Sequence, residues 1–440
     1  MSSLASLLKQ ADKLVIPPPE EADKISRLAG EVLRRTGRAA ERFPEVRGVL
    51  MGGSFAKGTW LPKHVDLDVF VKIDPATPVE RFEKVGLDIG SVATRGYPMG
   101  KKYAQHPYTE AIVEGVLVNI VPCFDVKAGE WRSAADRSPY HVELVEGLPE
   151  DRKNQIRLLK LFMNGVGVYG AEIQRQGFSG YVAEVLVIKH GSFESVARWF
   201  SDYNISAAER IFSLPDPVDE GRDLGIAVSG RSLGTMVLAC REFLRRPSLA
   251  YFGEMKGKVR TSLDESVYAV LFSHRRMSED TLWGELRKTL KHVVRHLEAE
   301  GFAIARAMAA SNNISKSAIL LIPEFAELPT VEQRVGPTVD RRKDVEAFVS
   351  TNSKQSRLVW VDDDARVRLL RPRRYTHLPD LLEDVIGGKA GPIGASKEIE
   401  DGMKTNGAVL RGRTLARAAS SSTWLRDGIR EITSDAIGTR

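Results

Sequence analysis

Helical and strand-like spacings of apolar residues alternate along the first third of the chain. Pro17 to Glu20 separates a short leader from a helical stretch over 22–42. Residues 46–51 form a brief apolar run ending at glycines, and residues 66–73 form a second, closed by Asp74-Pro75; both predict strands. Phe82, Val85, Leu87 and Ile89 predict a helix over 79–91. The runs 108–113 and 116–123 straddle Glu114-Gly115, which predicts a hairpin. From Arg152 the spacing turns helical, over Ile156, Leu158, Leu159, Phe162 and Met163, then over 181–190, 193–200 and 233–244. Boundaries are expected near Pro149 and Lys256, giving domains 1–149, 150–256 and 257–440. The last domain reads as mixed: strands over 266–272, 304–309, 317–322 and 357–361, and a long charged helix over 281–300. Residues 387–394 read as a flexible loop, and the basic tail from Arg411 shows little pattern.

Composition narrows the class. With 42% apolar and 28% charged residues among 440, the chain is globular and long enough for several domains. A net charge of +6 favours a polyanionic partner, although a modest basic excess is common. Cys123 and Cys240 are the only cysteines. That is too few for a disulfide scaffold or a zinc site; both sit among apolar residues as core, and a reduced cytoplasmic setting fits. Residues 1–13 lack the apolar centre of a signal peptide, and no run approaches the roughly 20 apolar residues that span a bilayer, so no membrane partner is expected.

The chemistry concentrates at Gly52-Gly53-Ser54-Phe55-Ala56-Lys57-Gly58-Thr59-Trp60, followed by Val65-Asp66-Leu67-Asp68-Val69-Phe70. Strand side chains alternate, so Asp66 and Asp68 point the same way. Adjacent carboxylates repel unless a cation lies between them. Mg²⁺ suits the place, because it takes oxygen ligands and keeps positions open for substrate phosphates. The Gly53-Ser54 turn offers backbone N–H groups and a hydroxyl to a triphosphate. The pieces together predict a nucleotidyl-transfer site.

Further blocks carry a resemblance. They are His106-Pro107-Tyr108, Val121-Pro122-Cys123, Asp136-Arg137-Ser138-Pro139-Tyr140-His141, Val168-Tyr169-Gly170-Ala171-Glu172, Gly177-Phe178-Ser179-Gly180-Tyr181, Asp216-Pro217-Val218-Asp219 and Cys240-Arg241-Glu242-Phe243. In this order, over nearly the whole length, the chain resembles the archaeal (class I) CCA-adding enzymes, tRNA nucleotidyltransferases of the DNA polymerase beta superfamily. The resemblance implies an α+β fold: a polymerase-beta-like nucleotidyltransferase head, a helical central domain, and a mixed α/β C-terminal RNA-binding body and tail. It implies CCA addition to the tRNA 3′ end from CTP and ATP, with no nucleic-acid template and two Mg²⁺ ions. By position, Asp66 and Asp68 would bind the metals. Gly53, Ser54, Lys57, Ser138, His141, Lys160 and Tyr169 would hold the nucleotide, mainly its triphosphate. Arg222 would face the base edge and help select C or A. A homodimer is a possible assembly.

One position departs from the pattern. The family's third carboxylate, two residues before the valine of Val121-Pro122-Cys123, is here Asn119, the third member of the metal and catalytic set. Asparagine keeps the shape without the charge, so a steep loss of chemistry is expected, with Asn119→Asp restoring orders of magnitude. Asp125 is six strand residues away, roughly 20 Å, and Glu114 lies beyond the turn on the other face, so neither is expected to compensate. The carboxamide is either a shape-preserving engineered swap, the favoured reading, or a natural change in an impaired or repurposed homologue.

Taken singly, most of these residues have ordinary explanations. Ser54 suits a helix N-cap, Tyr169 a core, Lys160 and His141 a solvated or packed surface, and Arg222 a surface ion pair. Basic clusters at His274-Arg275-Arg276, Arg341-Arg342-Lys343 and Arg371-Pro372-Arg373-Arg374-Tyr375 are candidate tRNA phosphate contacts or simply solvated faces. A poly(A)-type or other nucleotidyltransferase, and a non-catalytic tRNA-binding homologue, are the alternatives.

Overall fold

The computed structural model describes residues 4–204, 212–253, 266–391 and 394–434. The chain divides into two compact units, one over 1–256 and the other over 257–434. The first unit begins with helices α1 (Leu4–Val15) and α2 (Pro19–Ala40). Strand β1 (Val46–Gly52) follows, then a single turn of helix, α3 (Gly53–Ala56), and strand β2 (Asp66–Ile73). Helix α4 (Val79–Ala93) leads to strands β3 (Met99–Tyr103), β4 (Pro107–Val113) and β5 (Val116–Phe124). The five strands form one sheet in the order β1-β2-β5-β4-β3. Only β2 and β5 run parallel; the other pairs are antiparallel.

The alternation in these strands decides which face carries chemistry. Leu67, Val69, Val71 and Ile73 of β2, Val118 and Ile120 of β5, and Ala111 and Val113 of β4 are all buried in one core. They pack there with Ile25, Leu28 and Val32 of α2 and Phe82, Val85 and Ile89 of α4. The residues between them on the central strands, Asp66, Asp68, Asn119 and Glu110, therefore occupy the opposite face. The hairpin turn at Glu114-Gly115 is present, with φ of 50° and 82°. Two consecutive left-handed residues are the type I′ pattern, which sets Val113 against Val116 and fixes the register of the whole pair. Strand β3 carries no strong periodicity, and neither it nor the α1 helix was anticipated.

Helices α5 (Ser138–Glu146), α6 (Glu150–Gly165), α7 (Gly180–His190), α8 (Phe193–Ser201) and α9 (Gly230–Arg245) complete the unit. Ser179, Ser192 and Ser229 each accept a hydrogen bond from the backbone N–H three residues on, capping α7, α8 and α9. Phe162, Phe193, Phe243 and Phe252 pack edge-on or tilted with centroids 5.3 to 5.8 Å apart. Leu7, Ala11 and Val15 of α1 join this helical core, so the leader before Pro17 is a packed amphipathic helix. Cys123 and Cys240 are buried free thiols, as expected.

The second unit contains β6 (Tyr268–Ser273), α10 (Glu279–Ala299), β7 (Ile304–Ser311), β8 (Lys316–Pro323), β9 (Val331–Thr338) and α11 (Arg342–Asn352). Then come β10 (Leu358–Val361), β11 (Arg366–Pro372), α12 (Leu378–Ile386), α13 (Lys397–Asn406) and β12 (Ala408–Arg411). One antiparallel sheet has the order β12-β6-β8-β7 and another β10-β11-β9. The tail corrects the expectation of poor patterning. It folds into α14 (Gly412–Ser420) and α15 (Thr423–Thr433), whose Leu415, Ala419, Leu425 and Ile432 enter the core of the first sheet. The many arginines between these apolar positions masked their spacing. Part of the flexible-loop expectation at 387–394 lies outside the described residues, as does the boundary at Lys256.

Candidate active site

The acid face is built by strand register. Asn119 of β5 stands opposite Asp68 of β2 and donates its Nδ2–H to Asp68 Oδ1 at 2.9 Å. Its own Oδ1 is buried and accepts no hydrogen bond. On the other side of Asp68, β1 ends at Gly52, and the chain turns through Gly53 with φ of +63°. A Cβ at Gly53 would fall 2.0 Å from Asp68 Oδ2, so only glycine lets this turn cradle the carboxylate. Burial raises the Asp66 carboxyl above its usual range, and repulsion from Asp68 and Glu110 adds to it. Burial also raises Asp68, against the Asn119 hydrogen bond and the Lys57 charge. Such a pair gains from a cation between its members.

Among the described residues, no three Asp, Glu, His or Cys side chains converge closely enough to grip an ion unaided. The donors present are all oxygens: two carboxylates and the orphaned Asn119 carbonyl. That set fits a hard divalent cation whose remaining ligands come from substrate and water.

Beside the acids lies a buried cationic network. Glu184 of α7 accepts from Lys57 Nζ at 2.8 Å, Lys160 Nζ at 2.7 Å and Thr59 Oγ1 at 2.7 Å. Lys160 of α6 also reaches Thr59 Oγ1 at 2.9 Å. All four side chains are buried. Burial alone would raise the Glu184 carboxyl; Lys160 and Lys57 reverse that and bring it down to about 2. Two ammonium groups on one carboxylate leave a surplus positive charge. Tyr169, just after α6, feels Glu184, Glu172 and Asp66, and burial above all pushes its hydroxyl up.

A second cluster continues from the first. Lys57 Nζ lies 4.9 Å from the centre of the Tyr181 ring, which stacks on His141 at 3.7 Å. Tyr181 Oη donates to Asp216 Oδ1 at 2.8 Å, and Arg222 Nη1 donates to Asp216 Oδ2 at 3.2 Å. His141 Nε2 approaches the same Oδ2 at 3.4 Å without forming a hydrogen bond. Burial and Lys57 hold the His141 imidazole down at about 4, although Asp216 opposes them. Ser138 opens α5 one turn before His141, and Arg137 pairs with Asp219 at 2.7 Å.

The structure thus brings Asp66, Asp68, Asn119, Gly53, Ser54 and Lys57 together around one turn, and links Lys57 to Lys160, His141 and Arg222 through Glu184, Tyr181 and Asp216. Glu184, Tyr181, Asp216 and Glu110 join the site without having been expected in it. Glu184 had a signal: it is a lone acid inside the apolar run Val182-Ala183-Glu184-Val185-Leu186. In the second unit, several expected phosphate contacts are engaged internally. Glu332 is paired with Arg334, Arg371 and Arg373, while Arg341 and Arg342 pair along α11 with Asp344 and Glu346. His274 is buried against Ser317. Among the described residues no helix is long and apolar enough to cross a membrane.

Comparison with known proteins identifies related domains along the chain. Residues 36–141 match a nucleotidyltransferase domain, 154–253 the second domain of tRNA nucleotidyltransferases, and 264–412 the C-terminal domain of CCA-adding enzymes. The chain is 36% identical to the CCA-adding enzyme of Pyrobaculum neutrophilum, over 88% of this chain and 95% of that protein. It is 32% identical to that of Archaeoglobus fulgidus, over 79% and 82%. With the enzyme of Methanopyrus kandleri it shares 30% identity over 98% and 97%. Among solved structures, the Cid1 poly(U) polymerase covers 57% of this chain and 100% of its own, at 12% identity and a TM-score of 0.44, too distant to bear on function. The nucleotidyltransferase fold and near full-length identity to these archaeal proteins place the chain in the family of CCA-adding enzymes, the tRNA nucleotidyltransferases.

Proposed function

We propose that the chain completes tRNA by adding C, C and A to its 3′ end from CTP and ATP, without a template, by two-metal nucleotidyl transfer on the face that carries Asp66 and Asp68. The observation supporting this most is the juxtaposition of that acid face with a cationic network carrying surplus positive charge. One side suits a divalent cation, the other a triphosphate. Asp66, Asp68 and the Asn119 carbonyl would hold the ions, Mg²⁺ being the expected species. When bound, they supply charge stabilisation to the attacking and leaving oxygens.

The chain's own groups do the rest. The Gly53-Ser54 turn, Lys57 and Ser138 bind the triphosphate, and Lys160 and Tyr169 brace the same wall. His141, neutral and lacking a hydrogen bond at Nε2, is free to donate to a phosphate oxygen. Arg222, held by Asp216 on a largely exposed side chain, faces the base and forms part of the frame that selects C or A. The tRNA 3′-oxygen attacks the α-phosphorus in line. A new O–P bond forms, the bond to the bridging oxygen breaks, pyrophosphate leaves, and the hydroxyl proton passes to solvent.

Residues 1–149 serve as the catalytic domain, 150–256 as the helical domain that binds nucleotide and tRNA, and 257–440 as the tRNA-binding body and tail. Arg275, Arg276 and Lys343, which are exposed, are the candidates for phosphate contact. A cytoplasmic setting and a homodimer complete the reading. The test is product sizing with tRNA lacking its 3′ end. CTP alone should give two added nucleotides, CTP with ATP three. A long ladder would identify a poly(A)-type activity instead, and tight tRNA binding without incorporation a non-catalytic role.

A further inference from the structure

The row of residues across the centre of the sheet runs Gly52, Asp68, Asn119, Glu110 and Gly100 on β1, β2, β5, β4 and β3. Register partners share a face, and their Cβ atoms lie about 5 Å apart. Glu110 is thus the immediate neighbour of the carboxamide that replaces the expected acid. Its side chain is one methylene longer than Asp or Asn, and the neighbouring strand lies only ~5 Å away. Gly100 on its far side puts no side chain in the way, and a Cβ there would meet nothing within 4 Å.

Alternation along β2 and the register with β5 and β4 put Asp66, Asp68 and Glu110 on the same side of the sheet. The present partner of Glu110 is Lys102, at 3.5 Å, with the Lys102 side chain 42% and the Glu110 side chain 27% exposed. A surface pair of this kind is worth only about 0–1 kcal/mol, so Glu110 can leave it at little cost. Asn119 contributes an oxygen without charge, and Glu110 supplies charge one strand away.

We infer that Glu110 is the third metal-holding carboxylate of this enzyme, reaching across β5 to the place where an aspartate at 119 would end. The acid has moved one strand over, and Asn119 lies between the two charges as a hydrogen-bond donor to Asp68. Neither Asp125 nor Glu114 compensates, whereas Glu110 does. Asp125 is tied to Lys72, and Glu114 is exposed in the turn. This assignment rests on the two-metal reading above.

The test counts Mn²⁺ by electron paramagnetic resonance on the full-length chain with saturating CTP and no tRNA. Wild type should bind two ions. Glu110→Gln should lose one, and its tRNA extension should fall by at least the roughly 10- to 100-fold that outer partners of a metal ligand contribute. The double variant Glu110→Gln with Asn119→Asp should regain both, which also excludes misfolding as the cause. Lys102→Ala should keep two ions, because it frees Glu110. The assignment is overturned if Glu110→Gln keeps two ions and full extension, if Lys102→Ala mimics it, or if Asn119→Asp alone raises activity by orders of magnitude. Should wild type show neither CTP-dependent Mn²⁺ binding nor extension, the two-metal reading itself falls.

Discussion

Glu184→Gln perturbs the buried charge cluster at its centre while preserving shape. Glu184 accepts from Lys57 at 2.8 Å and from Lys160 and Thr59 at 2.7 Å each, with no solvent contact worth the name. At those separations the attraction to each lysine is about 6 kcal/mol for an effective dielectric constant of ~20. Most of that offsets the desolvation of three buried ions, so the intact cluster has a small net worth. Removing the carboxylate alone leaves two buried ammonium groups without a counter-charge, which typically costs about 3–5 kcal/mol. A glutamine also turns its NH₂ group toward one of them. The measurement is urea unfolding at pH 7 of wild type and variant, followed by intrinsic tryptophan fluorescence. The two lysines also lose their fixed positions, so the KM for CTP should rise.

The pH dependence of that difference has a definite sign. The folded Glu184 carboxyl sits at about 2, below its unfolded value. Its contribution is complete above the unfolded value, near pH 4.5, and disappears as pH falls through 2. The gap between the proteins should stay flat from pH 8 to 5. A loss under about 1 kcal/mol, or a gap that shrinks between pH 8 and 6, would refute the reasoning.

Other perturbations have equally specific outcomes. Gly53→Ala places a Cβ against Asp68 in a left-handed backbone worth about 1–2 kcal/mol of strain, and should weaken Mg²⁺-dependent CTP binding in calorimetry far more than it lowers Tm. His141 is held neutral at about 4, below its unfolded 6.5, so stability is full above pH 6.5 and drains as pH falls toward 4, by up to about 3 kcal/mol. His141→Gln should flatten that segment of the pH-stability curve. Arg222→Ala leaves the buried Asp216 carboxylate without its guanidinium partner, so its unfolding midpoint should fall, and its ratio of C to A incorporation in competition assays should change.

The catalytic sheet was largely legible because its strands alternate cleanly. The acids at 66 and 68 fall between the buried residues at 67, 69, 71 and 73, and no packing overrides that pattern. The missed residues are those defined by partners far along the chain. Glu184 is fixed by Lys57, 127 residues away, and no local spacing records that pairing. Glu110 is different: a two-residue hairpin at 114–115 pairs positions whose numbers are reflected about the turn, which places 110 opposite 119. That register is legible in the sequence, whereas the neighbour it creates lies on a different strand and shows in no single-strand alternation. The tail helices were hidden because arginines dilute their apolar stripe, and β3 because its residues are mostly exposed at the sheet edge.

The claim that Asp66 and Asp68 hold divalent cations against a nucleoside triphosphate is most directly tested by anomalous diffraction from crystals grown with Mn²⁺ and CTP. The account predicts metal peaks bonded to both carboxylates at about 2.1 Å, with a triphosphate oxygen completing the coordination. Peaks found elsewhere, with both carboxylates turned to solvent or bound to lysine, would contradict it.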